Sequence, residues 1–224
     1  MFRAENFLDL KQFAFPELFD NCEHVWDALK KLHDFIKQHL KPARLGTTIG
    51  VPYIADDVFI GRGTVVEQGA MIKGPAIIGE NCQVRAGAYV RGDVIVGNGC
   101  VLGNTSEFKN SVLFNGVQVP HFSYVGDSIL GFKAHLGAGV ILSNTKSMKG
   151  NVTVRYGNAI DTGLRKFGAV IGDGCDIGCN CVLNPGSIIG RNAMLYPNIL
   201  WRGVCPADSI VKLRQQLETI VRRI

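Results

Sequence analysis

The sequence predicts an all-β solenoid, and three observations carry that reading. An apolar residue recurs every six positions, a mostly small residue stands four places after each, and glycine often follows the apolar one directly. The apolar series runs Ile54, Ile60, Val66, Ile72, Ile78, Val84, Val90, Val96, Leu102, Phe108 and Phe114. Its small partners are Val58, Thr64, Ala70, Ala76, Cys82, Ala88, Val94, Cys100, Ser106 and Val112, and the glycines include Gly61, Gly79, Gly97 and Gly103. A six-residue period drifts around a 3.6-residue helix, and glycine is poor inside one, so no helix carries the pattern. A short strand closed by a turn does, with the aliphatic and the small residue both pointing inward. Three hexads then make a triangular coil of roughly 18 residues, and coils stack about 4.7–4.8 Å apart as parallel strands.

The elements follow in order. A helix is expected over residues 21–39 within an N-terminal helical region, 1–45, with Val25, Leu29, Leu32, Ile36 and Leu40 on one face and Pro42 closing it. The solenoid is expected over 46–206. Its phase breaks near 115–129, restarts at Leu130, Leu136 and Leu142, and breaks again over 145–166. It returns at Ile171, Ile177, Leu183, Ile189, Leu195 and Trp201. Both breaks read as loops, and long loops in a compact domain are functional or mobile. A C-terminal helix is expected over 207–224, from Ile210, Leu213, Leu217, Ile220 and Ile224 at helical spacing. A helix at each end would cover the open terminal coils.

Composition narrows the class. With 46% hydrophobic and 19% charged residues, the 224-residue chain reads as a well-packed protein rather than a disordered one. No stretch approaches the roughly 18–20 apolar residues of a membrane span, and the N-terminus lacks the apolar core of a secretory signal. A cytoplasmic location is therefore expected. The net charge of +5 is scattered, without a Lys/Arg run in the repeats, so nucleic acid is not an expected partner. Of the seven cysteines, Cys82, Cys100, Cys175 and Cys181 fall in the small inward slots. The run Cys175-Asp-Ile-Gly-Cys179-Asn-Cys181 matches no common zinc spacing, so buried structural thiols are expected and no metal.

Two features point to chemistry. Lys73, Arg91 and Lys109 stand one coil apart, each directly after an inward aliphatic, and should form a column of cations at one corner. Like charges on neighbouring strands repel unless something offsets them. A bound phosphate would do so, as would solvent or nearby Glu107 and Asp93. The first phase break carries Val119-Pro120-His121-Phe122-Ser123-Tyr124-Val125-Gly126-Asp127. A histidine interrupting a repeat is a candidate general base, because it titrates near neutrality; the other reading is a hydrogen-bonded structural histidine.

The stretch from about Arg91 to Asn144 resembles the acetyltransferase half of the bifunctional N-acetylglucosamine-1-phosphate uridyltransferases / glucosamine-1-phosphate acetyltransferases. It is similar also to the C-terminal β-helix of sugar-1-phosphate nucleotidyltransferases. The family's G-H-L-x-Y-x-G-D segment is matched by Pro120 to Asp127, and its I-G-A-G-x-I-x-x-N by Leu136-Gly137-Ala138-Gly139-Val140-Ile141-Leu142-Ser143-Asn144. The resemblance implies a left-handed coil, an acyltransferase of the hexapeptide-repeat family, and a homotrimer with sites between neighbouring subunits. It implies His121 as catalytic base, with Arg91, Lys109, Tyr124 and His135 on a sugar phosphate. It also implies Ala138, Asn144 and Lys166 on acetyl-CoA as co-substrate.

Departures bear on this. His135 replaces a family asparagine, Thr145 a tyrosine, and Tyr196-Pro197-Asn198 a small-residue corner near the acyl-CoA channel. The expected function is therefore acetyl-CoA-dependent N-acetylation of an amino-sugar phosphate. The rival is a non-catalytic sugar-phosphate-binding or assembly module. A zinc enzyme on this scaffold needs three histidines across an interface, and only His121 and His135 fall within the repeats.

Overall fold

Each hexad becomes one strand of two to four residues, and three strands close one coil. In the computed structural model, which describes residues 2–222, the coils stack into a left-handed parallel β-helix of about nine turns. Sheet A has nine strands from Ala43–Arg44 to Val204–Cys205, and sheet B nine from Thr47–Thr48 to Ile210–Val211. Sheet C has eight, from Tyr53–Ile54 to Leu200–Trp201. The two inward series meet in one continuous core, including Ile60, Val66, Ile72, Leu102, Phe108 and Leu136. Cys82, Cys100, Cys175 and Cys181 are buried within it as small apolar residues.

The break near 115–129 is not a loop. Residues 118–121, 124–126 and 129–130 are strands of sheets B, C and A. What changes is the coil length. Val58, Ala76 and Val94 pair in steps of 18 (76 − 58, 94 − 76), whereas Val94 pairs with Ser111 and Val112 with Ile129, steps of 17. Two successive coils each lose one residue, and alternation in a strand then reverses which side chain faces inward. Leu113 therefore enters the core in place of Phe114. Phe114 turns outward and stacks on Phe13 at 4.6 Å.

The second break, 145–166, does leave the coil. Its base is tied by an antiparallel bridge between Thr145 and Lys166, and it carries the hairpin Thr153–Tyr156 with Asn158–Asp161. Val152 and Val154 are fully buried.

The N-terminal helix spans Ala28–His39, shorter than expected, because 25–27 form a 3-10 turn in which the Asp27 carboxylate accepts from the His24 amide. Leu29, Leu32 and Ile36 are buried as the spacing requires. The helix does not cap an open end, however. With Phe2, Phe7, Leu8, Phe13 and Trp26 it lies along the outer face of sheet A, on Ile77, Ile95, Val112, Ile129, Val170 and Ile188.

The expected C-terminal helix is absent among the described residues. Ile210–Val211 pair with Met194–Leu195 as the last strand of sheet B, and 212–222 hold no regular structure. The exposed sheet edge offers those residues backbone partners immediately. The remaining segment is too short to hold a helix without a surface to dock on, and Leu217 and Ile220 are 89% and 78% exposed. Ile224 lies outside the described residues.

Candidate functional site

The cation column forms as the spacing dictates: Ile72 pairs with Val90 and Val90 with Phe108, which sets Lys73, Arg91 and Lys109 in line where sheet C turns toward sheet A. Each cation already has a neighbour. Lys73 lies over the Tyr89 ring at 5.2 Å, and Arg91 donates to Glu107 at 2.8 Å, which raises the guanidinium pKa. Lys109 meets Asp127 at 3.1 Å. Of the two carboxylates expected near the column, Glu107 is engaged, whereas Asp93 is held by His33 of the N-terminal helix at 2.5 Å.

Asp127 organises this corner. It is 3% exposed, and its backbone takes the left-handed conformation (φ 49°) that aspartate tolerates better than most residues. Its carboxylate accepts from Lys109, from Asn110 Nδ2 at 2.8 Å and from Asn144 Nδ2. A buried carboxylate needs such donors, since an unpaired one is costly to desolvate. The same Asn144 amide donates to the Tyr124 hydroxyl at 3.0 Å. Burial, then the charges of Asp127 and Glu107, push the Tyr124 pKa up, so the phenol stays protonated.

His121 sits at the other edge of sheet C, ending the strand Gln118–His121 where sheet B turns into sheet C. Its carbonyl accepts from Ser123 Oγ at 2.9 Å and from the Gly139 amide at 3.3 Å, and the next residue, Phe122, turns the corner with φ 30°. The imidazole itself is exposed and makes no side-chain hydrogen bond among the described residues. Tyr124 starts its strand three residues later, and its side chain reaches from sheet C to Asn144 on the far edge. Tyr124 therefore joins the two edges.

The structure brings Arg91, Lys109, Tyr124 and Asn144 into one cluster and leaves the other expected residues apart. His135 lies on sheet B, where its Nδ1 pairs with Asp176 at 2.9 Å. It borders a groove of 360 Å³ that also includes Gly137, Cys179, Tyr196 and Pro197. Ala138 is at the His121 edge, in the turn before Ile141–Leu142, while Lys166 is exposed at the base of the excursion on the Asn144 edge. Asn110 was not anticipated. Its signal was faint: a residue after the third cation with positive φ, where asparagine is favoured. Among the described residues, no group of three or more His, Cys, Asp or Glu side chains is placed to hold a metal ion. No described helix is long and apolar enough to cross a membrane.

With this geometry in place, three comparisons bear on the chain. The profile of the GMPPB C-terminal domain matches residues 72–164. The chain is 36% identical over 206 residues to "Bifunctional protein GlmU" of Methanococcus maripaludis, covering 89% of this chain and 48% of that protein. It therefore spans about half the length of that relative. It is also 32% identical over 191 residues to the putative uncharacterized acetyltransferase YaiX of Escherichia coli K12, covering 84% of this chain and 83% of that one. Among solved structures, the acetyltransferase domain of PglB from Neisseria gonorrhoeae aligns with 73% of this chain and 52% of its own. That alignment has 16% identity and a TM-score of 0.35.

Proposed function

The chain belongs to the hexapeptide-repeat, left-handed β-helix acyltransferase family, and on that premise we propose that it transfers an acetyl group from acetyl-CoA to the amine of an amino-sugar phosphate. The observation that carries this reading is the arrangement around sheet C. An exposed imidazole without a side-chain hydrogen-bond partner among the described residues stands at one edge, and a phosphate-compatible cation pair stands at the other.

His121 takes a proton from the amine as its nitrogen attacks the thioester carbonyl; the carbon–nitrogen bond forms, the carbon–sulfur bond breaks, and CoA leaves as the thiol. A positioned base contributes roughly a hundred- to ten-thousandfold to such a step. Arg91 keeps guanidinium donors beyond the one spent on Glu107, and Lys109 keeps ammonium protons beyond those facing Asp127, so both can still grip a phosphate. Fixing the phosphate fixes the amine, and that restriction of freedom is itself catalytic. The neutral Tyr124 hydroxyl accepts from Asn144 and keeps its own proton to donate to the acceptor, while both Asn144 amide protons are spent on Tyr124 and Asp127. Acetyl-CoA would enter along the corner that holds Ala138, beside the groove bordered by Gly137 and Pro197.

Ala138 and Lys166 lie on opposite edges of sheet C, so one protomer does not gather every assigned residue. A homotrimer, in which one protomer's edge faces its neighbour's, would gather them. The outer face of sheet C supports that state: Tyr53, Met71, Ile141 and Leu200 are large, apolar, aligned and exposed.

The test follows release of free CoA thiol from acetyl-CoA with glucosamine-1-phosphate and other amino-sugar phosphates. Turnover is expected in the native protein and a loss of at least a hundredfold in His121→Ala. Absence of turnover with every acceptor would favour the second reading, a non-catalytic binding module. The ion pairs that already engage Arg91 and Lys109 are the observation on that side.

A further inference from the structure

The line of Lys73, Arg91 and Lys109 continues past the site. Strand pairing through Val125, Leu142, Leu183 and Trp201 places Gly126, Ser143, Asn184 and Arg202 at the same corner, coil after coil. The last three border a cavity of 420 Å³, closed on its other side by the 145–166 excursion with Lys146, Lys149 and Arg155. Among the described residues, no carboxylate lines it. Arg91 and Lys109 are matched to acids, but Lys149, Arg155 and Arg202 form no salt bridge among the described residues. Lys146 spends one proton on the Asn151 carbonyl and keeps two. Asp161, on the same hairpin, faces the Gly163 amide at 2.8 Å and Asn151.

The excursion is seated on the coil rather than splayed from it. A Cβ at Gly186 (φ 82°) would stand 2.6 Å from the Thr153 carbonyl, and one at Gly203 (φ 93°) would stand 3.3 Å from that of Arg155. Two glycines on neighbouring coils thus let the hairpin close down, while Val152 and Val154 anchor it in the apolar cluster beneath. Four cations facing one cavity, offset in part where Asp161 acts on Lys146, repel one another, and a polyanion removes that repulsion.

We propose that this pocket is a second anion site that takes the diphosphate of a nucleotide. Each phosphate of a doubly esterified diphosphate keeps one ionised oxygen, about −2 in all, and its two groups present acceptor oxygens to several of the four cations at once. The site adjoins the cluster above, because Ser143 and Thr145 flank Asn144, whose side-chain oxygen accepts from Thr145 Oγ1. The diphosphate can belong to the acyl carrier or to a nucleoside diphosphate joined to the acceptor sugar. This assignment goes beyond the acyltransferase reading, and its test measures no acyl transfer, so either can fail alone.

Isothermal titration of the intact protein with inorganic pyrophosphate at low salt reads the site directly. Binding is expected, weakened roughly tenfold or more in Arg155→Ala/Arg202→Ala and again in the independent surface variant Lys149→Glu. Retention in Arg91→Ala/Lys109→Ala would separate it from the upstream cations. Displacement of pyrophosphate by CoA assigns the site to the carrier, and displacement by UDP or GDP assigns it to the acceptor. No binding, or binding unchanged in both pocket variants, overturns the proposal, as does loss confined to the Arg91/Lys109 variant.

Discussion

Sheet A and sheet C are made from the same hexads, share one interior and differ only in what their strands point outward. On sheet A the outward residues are Ile77, Ile95, Val112, Ile129, Val170 and Ile188, and the N-terminal segment covers all of them. On sheet C the aligned outward positions read Tyr53, Met71, Tyr89, Glu107, Tyr124, Ile141, Val182 and Leu200. Among the described residues nothing comparable covers them, and charged or polar groups border both edges. The interior thus makes the coil, and one residue per strand decides whether a face is core or working surface.

The comparison breaks most visibly at Ile95. It is 1% exposed, between the strand ladder and the N-terminal helix region. Ile95→Asp buries a charge with no partner and removes a packed side chain. The expected cost is about 4–5 kcal/mol or more, a large part of a typical domain's stability. Chemical denaturation should show a collapsed midpoint or insoluble protein. A change below about 1 kcal/mol would mean the N-terminal segment is not part of the core.

Between the two faces lies the interior they share, and pH probes it. Cys175 is 1% exposed and donates to the Gly190 carbonyl at 2.9 Å; burial pushes its pKa up to about 12 from an ordinary value of 9.0. The unfolded thiol ionises first, so this contribution is complete below pH 9 and is lost as pH climbs toward 12. At pH 10 the loss is on the order of 1 kcal/mol. Burial raises Cys181 and Cys205 in the same direction. Urea midpoints under reducing conditions should fall between pH 8 and pH 10, and fall less in Cys175→Ala. Equal slopes in the two proteins would show that the thiol is not held protonated.

How much of this was legible depended on which physical signal carried it. The coil was, because period six has no competing explanation and Ile54 through Phe108 keep it without a slip. The two shortened coils were not, because losing one residue looks like a loop when the inward series alone is followed; Phe114 and Leu113 are adjacent and both apolar. The cover on sheet A was readable in principle, since Phe59, Ile77 and Ile95 recur once per coil at outward positions. The C-terminal pattern misled because helical spacing was read without asking what the helix would pack against. At the site, coil spacing supplied Arg91, Lys109 and the nearby Glu107, and motif matching supplied His121, Tyr124 and Asn144. Asp127 as the hub depends on stacking through the two shortened coils, and Arg202 as the column's continuation on stacking across the long excursion, and sequence spacing hides both.

The smallest effect on the protomer is expected on sheet C, and it sharpens the contrast with sheet A. Ile141 is 43% exposed, stacked between Tyr124 and Val182, and Leu200 at the end of the same line is 71% exposed. Ile141→Glu and Leu200→Glu place charges in water as far as one protomer is concerned, so protomer stability should stay within about 0.5 kcal/mol. If sheet C is the face that meets a neighbour, the same charges become desolvated on assembly and the trimer should dissociate, as read by light scattering on a sizing column. Circular dichroism should meanwhile remain that of the β-helix. A trimer that survives both substitutions would place the interface elsewhere. The edges proposed for catalysis, at His121 and Asn144, would then have to work within one protomer, and Lys166 would drop out of the proposed site.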